Sequence, residues 1–229
     1  MAIKISNFKL AIGIPASMQN IPVAFFDSFI TMEKPNFEYV PAKNGPIEHL
    51  RNRIVEQALA NGCSHLLMMD TDQVYPKDTI TKLLLHNLPV VHGLVYRRYP
   101  PFDNLLYQGE VGKYTNKTDY VDGELVEVDA CGTGCVLYSL NVFYKIKPPW
   151  YEFIANPDKE KGGIVGEDIG MCIKLKQAGY KIFVDTSVKI AHLALFSIDE
   201  SFSQLYQSLV KRQIALNKEK EIETDVETL

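Results

Sequence analysis

The chain has 229 residues, of which 46% are hydrophobic and 23% charged, and 24 Lys plus Arg against 28 Asp plus Glu leave a formal net charge of -4. Such a length suits one compact domain around a continuous core, and the composition is that of an ordinary globular protein. The mild acidity excludes broad, sequence-independent nucleic-acid binding, which needs a basic surface, but leaves room for a small anionic ligand held locally.

In chain order, Met1 to Ile14 has no long apolar run after its lysines, so no signal peptide is expected. Phe8 to Ile14 reads as a strand ending at Pro15-Ala16, Val23 to Met32 as a helix packed on a sheet, and Phe37 to Val40 as a short strand closed by Pro41. Pro46 to Ala60 predicts a helix, with Pro at its start, apolar residues at Ile47, Leu50, Ile54, Val55 and Leu59, and Asn61-Gly62 to stop it. His65 to Met69 is a continuous apolar run, the mark of a strand buried on both faces, and it ends in Asp70-Thr71-Asp72. Pro76 to His86 reads as a helix and Pro89 to Val95 as the next buried strand, so the first half predicts βαβ units and a mainly parallel sheet.

From Tyr96 to Val128 the prolines, glycines and tyrosines suggest loops with small antiparallel strands. Val136 to Tyr138 is a further strand candidate, and Ser139 a cap for a helix over Leu140 to Ile146. Ile169 to Ala178 predicts a helix stopped by Gly179, followed by strands over Lys181 to Val184 and Val188 to Leu193. Asp199 to Asn217 reads as an amphipathic helix. The expected organisation is one domain over 1–217 and a charged tail over 218–229. No stretch approaches the roughly 20 apolar residues of a membrane-spanning helix. Cys63, Cys131, Cys135 and Cys172 lack paired zinc-knuckle spacing, so free thiols in a reducing cytoplasm are expected.

Five features carry possible chemistry. Asp70 and Asp72 follow a buried strand, where open parallel sheets bind ligands, and residues two apart can face one cation. Carboxylate oxygens suit Mg²⁺ or Mn²⁺, completed by substrate phosphate oxygens. An Asp-x-Asp triplet alone is weak, since roughly even odds favour one by chance in a chain this long, and a solvated turn is the competing reading. Gly166-Glu167-Asp168 opens a helix, where acidic residues either stabilise the N-terminus or serve as a general base. His192 would complete a metal shell if its strand ends beside Asp72; otherwise it is a hydrogen-bonded strand residue. Cys131-Gly132-Thr133-Gly134-Cys135 either lets backbone approach a substrate closely or forms a tight turn. Arg51, Asn52 and Arg53, with Arg97 and Arg98, are candidate diphosphate or sugar contacts.

In this order the features resemble the GT-A class of nucleotide-sugar glycosyltransferases, especially its large inverting family, over roughly Phe8 to Leu193. The resemblance runs through Ile14-Pro15-Ala16, Arg51-Asn52, Met69-Asp70-Thr71-Asp72, Gly93-Leu-Val-Tyr-Arg-Arg and Val128-Asp-Ala-Cys-Gly-Thr-Gly-Cys. It closes on Gly166-Glu-Asp-Ile-Gly with its Ala-Gly-Tyr ending, and then His192. Ser17 to Asn20 departs from the family's polar pattern, which leaves the base, uracil or guanine, open.

The resemblance implies a single GT-A, Rossmann-like α/β domain with a small antiparallel section. It implies that Asp72 ligates Mn²⁺ or Mg²⁺, with Asp70 contacting the cation through water or holding the donor ribose, and with His192 completing the site. It also implies Asp168 as catalytic base, Glu167 as the neighbour that orients the acceptor, Pro15 and Ala16 against the nucleotide, and Gly132 to Gly134 beside donor sugar and acceptor. The expected partners are a UDP- or GDP-linked sugar donor and a glycan, glycolipid or protein-glycan acceptor. Two other classes compete. A sugar-phosphate nucleotidyltransferase would carry a glycine-rich basic loop after the first strand, which Ile12-Gly13-Ile14-Pro15-Ala16-Ser17 lacks. A non-catalytic nucleotide-sugar or glycan-binding module would keep the fold without turnover.

Overall fold

The structure is a computed structural model that describes residues 8–156, 158 and 162–227, with side chains up to residue 217. Residues 1–7, which form part of the N-terminal reading, lie outside the described residues. Contacts divide the chain into two units, Met1–Leu193 and Ala194–Leu229.

The first unit begins with β1 (Leu10–Ala16), α1 (Val23–Thr31), β2 (Phe37–Lys43), α2 (Ile47–Ala60), β3 (His65–Met69), β4 (Gln73–Val74), α3 (Thr79–Leu85) and β5 (Val90–Val95). Then come β6 (Leu106–Gln108), β7 (Thr115–Asn116), β8 (Leu125–Val128), β9 (Ala130–Cys131), β10 (Cys135–Ser139) and α4 (Val142–Lys145). The unit ends with β11 (Ile154–Ala155), β12 (Ile164–Val165), α5 (Glu167–Gln177) and β13 (Ile182–His192). The second unit contains α6 (Glu200–Glu227).

The main sheet has the order β2-β1-β3-β10-β5-β13-β4, with β8 also on β13. β1 is parallel to β2 and β3, and β5 is parallel to β13, while β10 runs antiparallel between β3 and β5. Five long strands therefore share one direction, and their carboxyl ends lie on one edge of the domain. β6, β7 and β9 form a separate antiparallel sheet; β6 and β7 fall in the turn-rich stretch where small strands are expected, and β9 just beyond it.

Burial on both faces follows from the continuous apolar runs. In β3, Leu66 and Met68 join the cluster containing Leu50 and Ile54 of α2, whereas Leu67 and Met69 join Phe25 of α1 and Ile80 and Leu83 of α3. α2 lies close over β1 because Gly13 has no side chain; a Cβ there would stand 2.3 Å from Ile54 Cγ2.

Several elements differ from their sequence reading. β2 continues through Pro41 to Lys43, because it is an edge strand and needs no outward amide there. Ser139 caps nothing: it closes β10, its amide bonding Pro89 O, and α4 starts at Val142. The two late strands are one, β13, whose register on β5 shifts between Asp185 and Lys189. The backbone of α6 stays helical through Glu227, beyond the expected end at Asn217. Among the described residues, no helix is long and apolar enough to cross a membrane.

Candidate active site

The site is assembled at the carboxyl edge of the parallel strands, where such sheets place their ligands. Alternation along β3 carries past its end: after Leu66 and Met68, the next residue on that face is Asp70. It therefore turns toward α2 and meets Arg51, whose Nη2 donates to both Asp70 carboxylate oxygens at 3.0 Å. Arg51 is only 4% exposed, also pairs through Nε with Glu167 Oε1 at 3.5 Å, and stacks over the Tyr151 ring. Burial works against its charge, but Asp70 and Glu167 outweigh burial, so the guanidinium is held protonated more firmly than usual.

Asp72 has different partners. β3 stops at Met69 and the chain turns at Thr71-Asp72, so the two-residue alternation that would align both carboxylates is broken. Arg98 Nη1 donates to Asp72 Oδ2 at 2.8 Å, and His192 Nε2 lies 3.2 Å from the same oxygen. β13 does end beside Asp72: His192 pairs with Gln73 of β4, and the Leu193 amide bonds Asp72 O at 2.8 Å. His192 Nδ1 faces Tyr96 O at 2.8 Å, which fixes the ring with Nε2 toward the carboxylate. Burial tends to raise the Asp72 pKa, but the hydrogen bond and charge of His192, with Arg98, hold it below the usual range. Burial likewise opposes the His192 charge, yet Asp72 and the Tyr96 carbonyl raise its pKa.

One carboxylate oxygen and one imidazole nitrogen side by side form a donor set that fits an oxygen- and nitrogen-binding divalent cation completed by phosphate oxygens. Among the described residues no three His, Cys, Asp or Glu side chains stand together as a ready-made cluster, so any such site would need ligands from the substrate.

α5 brings in the second pair of carboxylates. Its N-terminal residue Glu167 is buried and engaged by Arg51, behind the cleft. Asp168 faces the cleft, with its Oδ1 accepting the Ile169 amide at 2.7 Å. Burial raises the Asp168 pKa against the opposing pull of the Ile169 amide and Arg51, and raises that of Glu167 against Arg51.

The segment from Gly132 to Gly134 lies between these groups. A Cβ on Gly134 would stand 1.9 Å from Gln73 Nε2, so glycine is what admits the buried Gln73. The Gly134 carbonyl accepts the Asp70 amide at 3.1 Å and shares the Tyr75 hydroxyl with Asp70 O, 2.8 Å from each. Gly132 borders Asp168: a Cβ there would be 3.9 Å from Asp168 Oδ2. Its carbonyl is 3.1 Å from Nδ1 of the fully buried His92, whose pKa burial pushes down to about 4, so a neutral ring donates that hydrogen bond. Thr133 is buried, with an unsatisfied hydroxyl.

The remaining candidates divide. Arg97 lines the cleft, paired with Asp103 at 2.8 Å and reaching the Tyr107 hydroxyl at 3.3 Å. Pro15 and Ala16 end β1 on the same edge, beside Ala42 and Lys43 of β2. Asn52 is engaged in the scaffold: Nδ2 donates to Glu48 O and Tyr151 O, and Oδ1 accepts the Trp150 and Tyr151 amides. Arg53 reaches Lys43 O. All four cysteines are free and buried. Tyr75, His92, Tyr107 and Tyr114 also border the site without being marked in the sequence; aromatic density from Tyr96 to Tyr120 is a signal for Tyr107 and Tyr114 alone.

Asp70, Asp72, Arg97, Arg98, Asp168 and His192 thus meet on the walls of one open cleft of about 510 Å³, with Tyr99, Leu105, Tyr107 and Tyr114 as its apolar surfaces. A mainly parallel sheet flanked by helices, with a small antiparallel section, is the GT-A fold. Among solved structures, the chain is similar to the protein A197 from STIV, with a TM-score of 0.59 at 18% identity, over 82% of this chain and 87% of that one. It is also similar to GalNAc-T7, solved with UDP, GalNAc and Mn²⁺, with a TM-score of 0.54 at 12% identity over 84% of this chain. S. aureus TarS 1-349, solved in complex with UDP-GlcNAc, gives 0.52 at 13% identity over 83%. The chain spans only 45% and 60% of those last two structures. No protein-family model and no curated protein sequence matches the chain.

Proposed function

We propose that the chain is a glycosyltransferase, metal-dependent, that moves a sugar from a UDP- or GDP-linked donor to an acceptor hydroxyl with inversion. The observation that carries this reading is the meeting of Asp72 and His192 with the Asp168 carboxylate on the walls of one cleft. The GT-A fold supports it, as do the UDP, Mn²⁺ and UDP-GlcNAc present in the similar structures.

Asp72 and His192 would hold a Mn²⁺ or Mg²⁺ ion, with Asp70 contacting it through water or holding the donor ribose; the ion supplies positive charge against the diphosphate. Arg97 and Arg98, on the same wall, contribute further positive charge to the diphosphate. Pro15 and Ala16 lie toward the nucleotide, and Gly132, Thr133 and Gly134 border the donor sugar. Asp168 is the base. The acceptor oxygen forms a bond to the anomeric carbon from the side opposite the diphosphate. The bond from that carbon to the phosphate oxygen breaks, its electron pair leaving with the nucleoside diphosphate, and the acceptor proton passes to Asp168. A raised pKa suits the task, since a carboxylate closer to the working pH accepts a proton more readily. Glu167, Arg51 and Asn52 act from behind the cleft, fixing α5 and α2 where they adjoin Asp70 and Asp168. The four free, buried thiols are in keeping with a cytoplasmic enzyme.

Asp168→Asn tests the reading. Transfer should fall by about 10²–10⁴-fold, the usual contribution of a positioned base, with UDP or GDP binding nearly unchanged. Transfer at close to the wild-type rate in that variant would remove Asp168 from the mechanism.

A further inference from the structure

The cleft does not end at the catalytic carboxylate. A second hollow, of about 550 Å³, adjoins it, and Tyr114 lines both. The floor of the two is one face of α5: Ile169 lies in the first hollow, and Ile173 and Gln177 in the second. These residues are spaced i, i+4 and i+8, so they succeed one another along a single helix face. From Ile169 to Gln177 that face extends roughly 12 Å, longer than one hexose ring. The opposite wall is the turn before β7, which contributes Glu110 and Val111 to the second hollow and ends at Tyr114. The Tyr107 and Tyr114 rings lie with centroids 6.5 Å apart and tilted by 42°, so they form a bent aromatic surface beside Asp168.

Aromatic and aliphatic side chains interspersed with a few exposed polar ends suit a sugar, whose rings carry apolar C–H faces and a rim of hydroxyls. The polar ends are present: Glu110 and Gln177 are exposed at the second hollow, beside Lys176. We propose that this second hollow is a subsite for the next sugar unit of the acceptor, so that the preferred acceptor is an oligosaccharide chain of two or more units and not a single sugar. This rests on the transferase reading of the cleft, with the terminal unit on Tyr107 and Tyr114 beside Asp168 and the following unit along Ile173 and Gln177.

The experiment uses the full chain with UDP- and GDP-sugars and hexose or N-acetylhexosamine acceptors of one to four units. Products are measured by mass spectrometry, and glycan binding separately by saturation-transfer NMR. An acceptor of two units should show a KM about tenfold below that of the single sugar, the worth of one aromatic or apolar ring contact. Gln177→Trp and Val111→Trp fill the second hollow from opposite walls at exposed positions, so folding is retained. Each should abolish that advantage and leave single-sugar transfer and donor hydrolysis unchanged. Equal KM values for one and two units, or an advantage that survives both variants, would overturn the subsite. Oligosaccharide binding lost in both variants, without turnover of any donor, would keep the subsite and sink the transferase reading alone. Absence of both binding and turnover would sink both.

Discussion

Arg51 and Asp70 are joined by two hydrogen bonds of 3.0 Å, both donated by Nη2 to the two carboxylate oxygens, and the arginine is all but removed from water. This pair ties α2 to the end of β3, and through Glu167 to the start of α5. Removing one partner of a buried pair leaves the other charge unpaired, which costs about 3–5 kcal/mol. Arg51→Met should therefore lose about that much stability in urea unfolding, because it strands Asp70 and Glu167 together. Adding Asp70→Leu to Arg51→Met should restore part of the loss. A wild-type unfolding midpoint for Arg51→Met would show that the pair is not structural.

In the proposed mechanism Asp168 links the same arginine to proton transfer. Its pKa is raised from 3.8 by burial, and Arg51 is among the groups opposing that rise. Only the ionised carboxylate can take a proton, so activity is lost as pH falls through the raised value. The acid limb of the kcat/KM profile should thus lie above the ordinary aspartate range, near 3.9. Arg51→Lys retains a charge at that position but loses the fork, and should move the limb little while lowering the rate. A limb at or below the ordinary value would contradict the burial of Asp168 in the working enzyme.

How far the sequence carried these conclusions depends on the kind of signal. Buried parallel strands declare themselves as apolar runs, and β3 lies where His65 to Met69 predicts it, because both of its faces are covered by helices. Val136 to Tyr138 reads as a strand, but its reversal as β10 between β3 and β5 did not show, since a strand buried on both faces reads alike in either direction. The meeting of Asp72 and His192 spans a sequence separation of 120; the residues alone made it conditional on where the late strand ends, and the resemblance supplied the expectation. Conversely, Asp70 and Asp72 look equivalent as an Asp-x-Asp triplet. Their partners differ because β3 stops at Met69 and the chain turns at Thr71-Asp72, a boundary that periodicity does not mark. Arg51 offers the same lesson: in the sequence it reads as a candidate diphosphate or sugar contact, and its place between carboxylates follows only from its acidic neighbours on β3's end and α5.

The bulge in β13 creates a second acidic site with a structural outcome. Asp185 is 4% exposed; its Oδ2 lies 2.8 Å from His86 Nε2, and its Oδ1 accepts the Ser187 amide at 2.9 Å. Burial tends to raise its pKa, but the bonds to His86 and Ser187 prevail and hold it below 3.8. A carboxyl depressed in the folded state contributes stability above its unfolded pKa and loses it as pH falls through the folded one. The wild-type chain should lose stability on acidification below about pH 4, and Asp185→Asn should flatten that part of the curve while being less stable at pH 7. Parallel acid limbs for the two proteins in thermal unfolding would exclude the contribution.

The cation reading turns on separating Asp72 from Asp70. Asp70→Asn would mix any lost ligation with release of Arg51, so its effect on metal binding cannot be read directly. Asp72 is the cleaner position: its carboxylate is held at the cleft wall by Arg98 and His192, away from the buried Arg51. With wild-type protein, UDP or GDP should raise the unfolding temperature more in the presence of Mn²⁺ than in its absence, because a ligand that binds the folded state alone stabilises it by mass action. The nucleotide that gains more identifies the base, which the departure at Ser17 to Asn20 leaves open. Asp72→Asn should remove the Mn²⁺-dependent part of that rise and spare whatever the nucleotide contributes alone. His192→Gln, which keeps a hydrogen-bonding group but loses the imidazole, should reduce it by a smaller amount. An Mn²⁺-dependent rise of full size in Asp72→Asn would move the cation away from Asp72, and with it the diphosphate end of the donor.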